Sequence, residues 1–415
     1  MKNIAIIGGG IIGLSTAYYL QRAGHRVTVF DKGNLDDTCS IGNAGMVVPS
    51  HIVPLAAPGM ISKGIRWMFN ARSPFYVRPR LNGDLLKWGL KFYAHANERH
   101  VQRSAPLLKE ISSLSKQLFR EMDKAKNFEF GYQEKGLLML FQTAETEREE
   151  IEAAHMANQN GVEAHVLSAE EVQRLEPEVK VTARGGVYCP GDAHLIPQLL
   201  VSNLVAHLKK NGVIILANHK VEDFVTGASG IEQISVNDEP WHFDEYVVAT
   251  GAWSGLFCSK LDIDLPMQSG KGYSFNVKAV KKNIQIPTLL LEGRVAVTPM
   301  GNDLRFGGTM EINGTDRSVN MNRVKGIVET IPKYYPEMNV QVPDVKEVWN
   351  GLRPCSPDGL PYIGRSTRFK NLVVATGHSM MGISLGPATG KLVTELVDER
   401  PTSMDIAAFH PERFN

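Results

Sequence analysis

The first 31 residues constrain the fold more than any other stretch of this chain. They read as an apolar run, a glycine turn, a helical apolar pattern and a second apolar run that ends at Asp31. Gly8, Gly10 and Gly13 match the spacing G-x-G-x-x-G, which permits a tight turn, close approach to a pyrophosphate and close packing of helix on strand. Asp31 is spaced to accept hydrogen bonds from a ribose. The stretch predicts a β-α-β dinucleotide site and leaves FAD and NAD both open.

Length and composition predict a soluble enzyme with two domains. At 415 residues the chain exceeds a usual single core. A net charge of +1 gives no reason to expect nucleic acid as a partner. The four cysteines lie far apart and nothing is spaced as a metal site, which fits a reducing compartment without metal. No stretch is apolar enough to span a bilayer, so we expect a cytoplasmic protein.

Helical and strand patterns alternate along the rest of the chain. Helices are predicted over residues 84–100, 107–126 and 146–161, and within a helix–strand unit that begins near residue 190. Antiparallel strands are predicted over residues 273–278, 295–299 and 304–308. A final strand is predicted over residues 372–375, and residues 390–399 lie in a final predicted helix. Residues 32–50 and 51–80 read as irregular. The nucleotide-fold pattern opens the chain, returns in the middle and closes it, which predicts a discontinuous domain with a second domain inserted.

Four segments carry a resemblance to a known family: IAIIGGGIIGLSTAYYLQRAGHRVTVFD, CSIGNAGMVVPS, WNGLRPCSPDGLPYIG and VVATGHSMMGISLGPATGKLVTEL. In this order they resemble the D-amino-acid oxidase/dehydrogenase superfamily of FAD-dependent oxidoreductases. The chain length, the N-A-G-M motif and PGDAHLIP look most like the D-amino-acid dehydrogenase branch. The resemblance implies that the N-terminal unit binds FAD.

The expected architecture is therefore α/β, with a discontinuous Rossmann-like FAD-binding domain and an inserted α+β substrate domain that contains an antiparallel sheet. We assign residues 1–85, 186–257 and 346–415 to the FAD-binding domain. Residues 86–185 and 258–345 form the expected substrate domain.

Motif positions and the resemblance together predict the cofactor contacts. The loop G-N-A-G-M passes a flavin ring without bulky side chains, although an ordinary turn is the alternative. The turn G-H-S-M-M-G precedes a predicted helix, whose N-terminus stabilises the negative charge of reduced flavin. The predicted cofactor contacts are Gly8, Gly10, Ile11, Ile12, Gly13, Asp31, Lys32, Ser40, Asn43, Ala44, Gly45, Met46, Val221, Thr250, Gly251, Trp253, Gly377, Met380, Met381, Gly382 and Ile383.

Arg353, in the motif GLRP, is the predicted substrate residue. Its planar guanidinium matches a carboxylate, and the resemblance implies that it binds the carboxylate of an amino acid. A salt bridge elsewhere in the protein is the alternative. Tyr273 is predicted to close over the substrate, with packing as its alternative. We expect His378 to contact substrate or flavin, and neither His378 nor His194 to be a catalytic base.

Two departures from related oxidases shape the functional expectation. Some of those oxidases attach flavin to a cysteine, but the aligned position here is Gly351 rather than Cys355, so we expect non-covalent FAD. They also hold a lysine near the flavin for oxygen activation, whereas the corresponding strand here offers Arg305. This difference favours a dehydrogenase over an oxidase.

The resemblance implies oxidative deamination of a D-amino acid by hydride transfer to FAD, giving an imine and then a 2-oxo acid. D-proline, hydroxyproline and aliphatic D-amino acids remain open. We expect electrons to pass to a quinone-type acceptor. Aromatic and cationic residues within 51–80, including Trp67, Phe69, Phe75 and Arg80, suggest a peripheral contact with the cytoplasmic side of a membrane. A loop packed on its own protein, an oxidase of glycine, sarcosine or another secondary amine, and a non-catalytic flavin-binding subunit are the alternatives.

Overall fold

The structure is a computed structural model that describes residues 1–68, 70–78, 83–228 and 230–415. Phe69 and Arg80, named above for membrane contact, lie outside the described residues. The strands are β1 (Asn3–Ile7), β2 (Arg26–Phe30), β3 (Met46–Val47), β4 (Phe75–Val77), β5 (Leu137–Phe141), β6 (His165–Ser168), β7 (Gly185–Cys189), β8 (Ala193–His194), β9 (Ile214–Leu216), β10 (Val221–Thr226), β11 (Ile231–Val236), β12 (Glu239–Trp241), β13 (Glu245–Val248), β14 (Gln268–Val277), β15 (Thr288–Leu290), β16 (Val295–Met300), β17 (Asp303–Ile312), β18 (Trp349–Cys355), β19 (Tyr362–Arg365) and β20 (Leu372–Thr376). The helices are α1 (Ile11–Arg22), α2 (Met60–Met68), α3 (Gly83–His95), α4 (Glu98–Ala125), α5 (Ala144–Gln159), α6 (Ala169–Leu175), α7 (Pro197–Lys210), α8 (Ser254–Cys258), α9 (Met321–Tyr334) and α10 (Gly382–Val397).

One sheet, called the parallel sheet below, has the strand order β19-β20-β13-β1-β2-β9. Its strands run parallel except for β19, which pairs antiparallel with β20. Both its faces are covered, so its strands are apolar throughout rather than alternating. Strands from the first, middle and last parts of the chain meet here, which confirms the predicted Rossmann-like unit.

The first and last helices pack backbone to backbone over this sheet. A Cβ on Gly390 of α10 would lie 2.5 Å from the carbonyl oxygen of Ser15 in α1, so only glycine permits the approach. A Cβ on Gly386, one turn earlier, would lie 3.0 Å from Ser15 Oγ. This contact brings the N-termini of α1 and α10 to the same edge of the parallel sheet.

A second sheet, called the large sheet below, has the order β18-β14-β17-β16-β15-β5-β7-β6, and β4 also pairs with β17. Neighbouring strands are antiparallel except at β5–β15 and β4–β17. Helix α9 packs on it through an apolar face that includes Val324, Ile327 and Ile331. The antiparallel second sheet is confirmed. Strands β4, β7 and β18 also belong to this sheet, although they lie within or next to the ranges assigned to the FAD-binding domain. The exact domain limits therefore stay a prediction.

Several local predictions need correction. Residues 51–80 contain α2 and β4 and are not wholly irregular. The sequence also predicts one strand over residues 241–249, whereas in the structure β12 ends at Trp241 and β13 covers Glu245–Val248. The helix predicted from residue 107 begins at Glu98, because Asn97 caps it by accepting a hydrogen bond from the backbone N–H of His100 at 3.0 Å. Pro106 lies inside this helix rather than before it. Across the described residues, we find no helix with the length and apolar character needed to cross a membrane.

Candidate active site

A cavity of about 740 Å³ is lined by residues of both sheets and of the loops between them. The charged side chains on its described lining are Lys32, Lys220, Arg294, Arg317, Arg353, Asp31 and Asp37. Cations therefore outnumber carboxylates there, which favours anionic ligands such as a pyrophosphate or a substrate carboxylate.

The glycine turn between β1 and α1 forms one end of the cavity. Gly8 has φ +115°, and a Cβ there would lie 2.4 Å from the carbonyl oxygen of Ala249. A Cβ on Gly13 would lie 1.9 Å from the carbonyl oxygen of Gly8, so the absence of a side chain here allows α1 to pack against the turn. A Cβ on Gly10 would meet only Ser40 Oγ, at 3.7 Å, and the bare backbone of Gly10 borders the cavity. The turn thus leaves room for a phosphate at the start of α1.

Asp31 and Lys32 follow β2 at the same end. The carboxylate oxygens of Asp31 accept hydrogen bonds from the N–H groups of Gly9 and Gly33, each at 2.7 Å. These bonds fix the carboxylate beside the glycine turn, where the ribose of a dinucleotide would lie. Lys32 Nζ lies 3.4 Å from the centre of the Trp253 ring, a cation–π contact, and burial lowers the pKa of Lys32.

The loop at residues 41–45 is held rigidly between the two sheets. Asn43 donates from Nδ2 to the carbonyl oxygen of Met380 at 3.1 Å and accepts at Oδ1 from the N–H of Gly45 at 2.9 Å. Ser274 Oγ donates to the carbonyl oxygen of Gly42 at 2.8 Å. The loop is therefore tied both to β14 and to the turn before α10.

Arg305 supports the same loop from behind. Its Nη1 donates to the carbonyl oxygens of Ile41 and Asn43, at 2.9 and 2.7 Å, and burial lowers its pKa to about 10. The side chain is 2% exposed and does not line the cavity. Arg305 thus holds the loop and does not present its guanidinium to the site.

The N-terminus of α10 borders the cavity beside the start of α1. Met381 precedes the helix, and no side chain caps it. A Cβ on Gly382 would meet only Ile11 Cγ2, at 3.8 Å. Free N–H groups at a helix start stabilise negative charge. Two helix N-termini and bare glycine backbone along one long cavity fit a flavin dinucleotide.

Arg353 lies on β18, next to a β-bulge in the pairing of β14 with β17 that makes room for its guanidinium. Its guanidinium lies over Gly272 of β14, where a Cβ would fall 2.2 Å from Nη2. The pairing of β14 with β17 shifts register between Lys271 and Tyr273. Opposite, Thr309 has φ +68°, and its carbonyl oxygen accepts a hydrogen bond from Arg353 Nη1 at 2.5 Å.

The charge of Arg353 is left for a ligand. Burial lowers the pKa of Arg353, yet no carboxylate of the described residues forms an ion pair with it. A guanidinium remains charged even so. An unpaired cation bordering a cavity is placed to bind an anion.

Tyr273 borders the cavity, but its side chain packs in the buried apolar cluster that includes Val324 and Ile327 of α9, and its hydroxyl is used there. It donates to Glu311 Oε2 at 2.6 Å and accepts from the N–H of Asn320 at 3.2 Å. Burial, followed by the bond to Glu311, raises the pKa of Tyr273 far above its usual value. Tyr273 is thus a neutral residue of the packed core.

Two histidines on the cavity lining are neutral. His378 lies 2.9 Å through Nε2 from Thr389 Oγ1, and burial lowers its pKa to about 3. Burial, with a smaller effect of Arg294, lowers the pKa of His51 to about 4. His194 pairs within β8 and does not line the cavity. None of these imidazoles carries a charge near neutral pH.

Most of the predicted site residues meet on this cavity. The predicted substrate residues Arg353, Tyr273 and His378 all line it. The predicted cofactor contacts that line it are Gly8, Gly10, Ile11, Ile12, Asp31, Lys32, Ser40, Asn43, Ala44, Met46, Val221, Thr250, Gly251, Trp253, Met380, Met381, Gly382 and Ile383. Gly13, Gly45 and Gly377 do not line it and act through backbone geometry instead.

Sequence patterns did not predict a row of cavity residues that crosses the large sheet. Trp349, Ser274, Gly307, Ala296 and Leu289 are successive partners on β18, β14, β17, β16 and β15, and all line the cavity. Small side chains at its centre leave space above the sheet. The alternation of side chains along β18 could have indicated that Trp349 lies on the cavity face, because every second residue of a strand points to the same face.

Comparison with known proteins agrees with this geometry. The family model described as FAD dependent oxidoreductase, DAO, matches residues 3–396. A D-amino acid dehydrogenase of Neisseria meningitidis is 31% identical over 412 residues, covering 97% of each chain. One from Helicobacter pylori is 30% identical over 396 residues, covering 95% of this chain and 94% of the relative.

Solved structures share the fold. Glycine oxidase from Geobacillus kaustophilus superposes with a TM-score of 0.78 at 24% identity, covering 100% of this chain and 99% of that chain. L-proline dehydrogenase from P. horikoshii superposes with a TM-score of 0.76 at 20% identity, covering 99% and 97%. The cofactor expected from the glycine turn is therefore FAD, and this chain belongs to the DAO family of FAD-dependent oxidoreductases.

Proposed function

We propose that this protein is a D-amino acid dehydrogenase that oxidises the Cα–N bond of its substrate to an imine, which hydrolyses to a 2-oxo acid and ammonia. The unpaired guanidinium of Arg353 at the cavity carries the proposal, because an amino acid offers the carboxylate that it lacks. The names of the relatives supply the D-configuration and the dehydrogenase class.

The residues of the cavity bind and orient the substrate. Bound FAD would supply the two-electron oxidant that takes a hydride from Cα. Arg353 holds the carboxylate. The substrate amine must be neutral for its lone pair to assist hydride departure. The neutral state of His51 and His378 adds no positive charge that would oppose loss of the hydride.

FAD is held without a covalent bond in this proposal. Cys355 is buried, does not line the cavity, and would have its sulfur 3.1 Å from a Cβ on Gly270. Cys39 lines the cavity, but its Sγ accepts a hydrogen bond from the N–H of Leu352 and its pKa is raised by burial. Neither sulfur is an activated thiolate. Denaturation in trichloroacetic acid should release all of the flavin into the supernatant.

Electrons pass to a quinone-type acceptor in this proposal, and the protein contacts the surface of a membrane. The position of Arg305 behind the loop supports slow oxygen reactivity, since no lysine stands beside the cofactor on that strand. Trp67 and Phe75 line the cavity, so they support packing on the protein itself. Support for membrane contact comes instead from exposed Ile65 and Arg66 on α2. Failure to sediment with anionic vesicles would contradict the contact.

The alternative is an oxidase of glycine or a secondary amine, which the glycine oxidase fold leaves open. Steady-state assays of the FAD-loaded protein with a D-amino acid distinguish the two. A dehydrogenase forms 2-oxo acid quickly with a soluble quinone analogue and little peroxide in air. Rapid peroxide production in air without quinone would instead favour the oxidase. A non-catalytic subunit would form no 2-oxo acid with either acceptor.

A further inference from the structure

The geometry points to an apolar subsite for the substrate side chain, with Trp67 and Phe75 as its wall and Ser73, Arg323 and Glu311 as the residues that position the wall. This inference rests on the proposed function and names its substrate class: D-amino acids with apolar side chains larger than a methyl group.

The wall lies beside the carboxylate-binding arginine. Phe75 of β4 pairs with Met310 of β17, and both line the cavity. The preceding residue, Thr309, accepts the hydrogen bond from Arg353. Met310 and Phe75 therefore border the cavity close to the guanidinium that would hold the substrate carboxylate. On the described lining the carboxylates are Asp31 and Asp37, both in the segment that follows β2. A basic substrate side chain at the wall would therefore have no carboxylate of this lining as its counterion.

Ser73 joins the two aromatic residues of the wall. Its Oγ lies 2.7 Å from the carbonyl oxygen of Trp67 and 2.9 Å from that of Phe75. It also accepts a hydrogen bond from Arg323 Nη1 at 2.9 Å. The single O–H is thus shared between the two carbonyl oxygens, and the residue is 5% exposed.

Arg323, on α9, fastens the segment to the large sheet. Its Nη1 also donates to the carbonyl oxygens of Ser73 and Asn70, at 2.8 and 3.0 Å. Its Nε donates to Glu311 Oε1 at 3.3 Å. A Cβ on Gly326, one turn later, would lie 2.3 Å from the carbonyl oxygen of Arg72, so the helix and the segment are in close contact.

Glu311 closes the connection back to the cavity. It accepts the hydroxyl of Tyr273 at 2.6 Å and lies 3.6 Å from Lys271 Nζ. Arg323 and Glu311 are each 3% exposed, and Lys271 is 1% exposed. A buried ionic network of this kind adds little stability compared with apolar packing, and its documented use is to specify one arrangement. Here it begins at Tyr273 and ends at Trp67 and Phe75, all three on the cavity lining.

The consequence is a dependence of binding on side-chain size. A larger apolar side chain covers more of the wall and gains more from it, whereas a methyl group reaches little of it. Weakening the Ser73 connection should therefore reduce the binding of large side chains more than that of small ones.

The test uses the FAD-loaded protein and two carboxylates that cannot be oxidised as amino acids. Acetate and 4-methylpentanoate are titrated while the flavin absorbance is followed, in the wild type and in Ser73→Ala. We expect 4-methylpentanoate to bind the wild type at least tenfold more tightly than acetate. In Ser73→Ala this ratio should fall at least fivefold. Equal affinities in the wild type, or an unchanged ratio in the variant, would overturn the inference.

Two further variants separate positioning from general loss of structure. Arg72→Ala removes an exposed ion pair with Glu329 on the same segment and should leave the ratio within twofold. Phe75→Ala should lower the ratio as Ser73→Ala does, and the double variant should lose no more than either alone, because both act on one wall. Fully additive losses of the affinity ratio would contradict the inference that Ser73 acts by positioning the wall.

The same variants assayed with D-alanine and D-leucine keep the two proposals apart. The ratio of kcat/KM for D-leucine over D-alanine should fall in Ser73→Ala through KM, with kcat changing less. If neither amino acid reduces the wild-type flavin, the proposed function fails, and the carboxylate titrations still decide the inference about the wall.

Discussion

The guanidinium of Arg353 lies so close over Gly272 that a Cβ on the glycine would fall 2.2 Å from Nη2. The bulge in β17 at this point contains Thr309, whose left-handed backbone directs its carbonyl oxygen to the same guanidinium. A strained backbone at one position, held by its surroundings, is a common feature of sites that bind a ligand. The direction in which the arginine points thus depends on a residue with no side chain.

Gly272→Ala should displace the guanidinium while the cofactor site stays intact. A misplacement of about 1 Å commonly costs about 100-fold in catalysis, so we expect KM for a D-amino acid to rise about 10- to 100-fold. Steady-state kinetics with saturating quinone measures this, and flavin absorbance checks the cofactor. Gly89→Ala on α3, where a Cβ meets nothing within 4 Å, is the matched control. Equal KM values for the two variants would contradict the inference that Gly272 positions the guanidinium of Arg353.

Arg353→Lys tests the need for a planar fork. A lysine keeps the charge but cannot form two parallel hydrogen bonds to a carboxylate. We expect KM to rise about 100-fold, equivalent to about 3 kcal/mol, and Arg353→Ala to be worse still, with FAD retained in both. Isothermal titration with a non-oxidisable carboxylate provides an independent reading. Wild-type affinity in Arg353→Ala would remove the assigned role.

Gly10→Val should abolish FAD binding without unfolding the protein. The side chain would project toward the cavity, because a Cβ here meets only Ser40 Oγ at 3.7 Å. Purified protein should be colourless, with a circular dichroism spectrum like that of the wild type stripped of FAD. A yellow protein with one flavin per chain would show that the cofactor does not approach this turn.

Asp192 should make stability depend on pH. Burial raises its pKa to about 7, against hydrogen bonds from Ser50 that lower it. The folded state then holds a proton that the unfolded state releases near pH 4. Stability should therefore be greatest below about pH 4 for this group and fall as pH rises toward 7, by at most about 4 kcal/mol.

Asp192→Asn keeps polar groups against Ser50 and removes this titration. Chemical denaturation of the FAD-loaded protein between pH 5 and 8 should show a smaller fall in the free energy of unfolding for the variant. Glu176, whose pKa burial also raises to about 7, remains in both proteins and keeps part of the slope. Identical slopes for the two proteins would contradict an elevated pKa for Asp192.

Local sequence patterns were enough for the cofactor end of the site. The glycine turn, Asp31 and the start of α10 each depend on residues close together in the chain, so spacing predicts them. The same holds for the apolar strands of the parallel sheet.

The substrate end could not be predicted in this way, because it depends on strand register. Gly272 meets Arg353 across β14 and β18, and Ser73 meets Arg323 across about 250 residues of chain. Nothing local to Tyr273 shows that its hydroxyl is taken by Glu311. Pairings between distant strands follow from the whole fold, and a shift of one residue would turn each side chain to the opposite face.

We expect the cavity to present a D-amino acid, held by Arg353, to bound FAD. Anaerobic rapid mixing of the FAD-loaded protein with the two enantiomers of leucine tests this directly, with the flavin band near 450 nm as the signal. We expect D-leucine to bleach this band with a saturating rate in the wild type, and about 100-fold less efficiently in Arg353→Lys. Bleaching by L-leucine alone, or equal bleaching of the wild type and the variant by D-leucine, would contradict it.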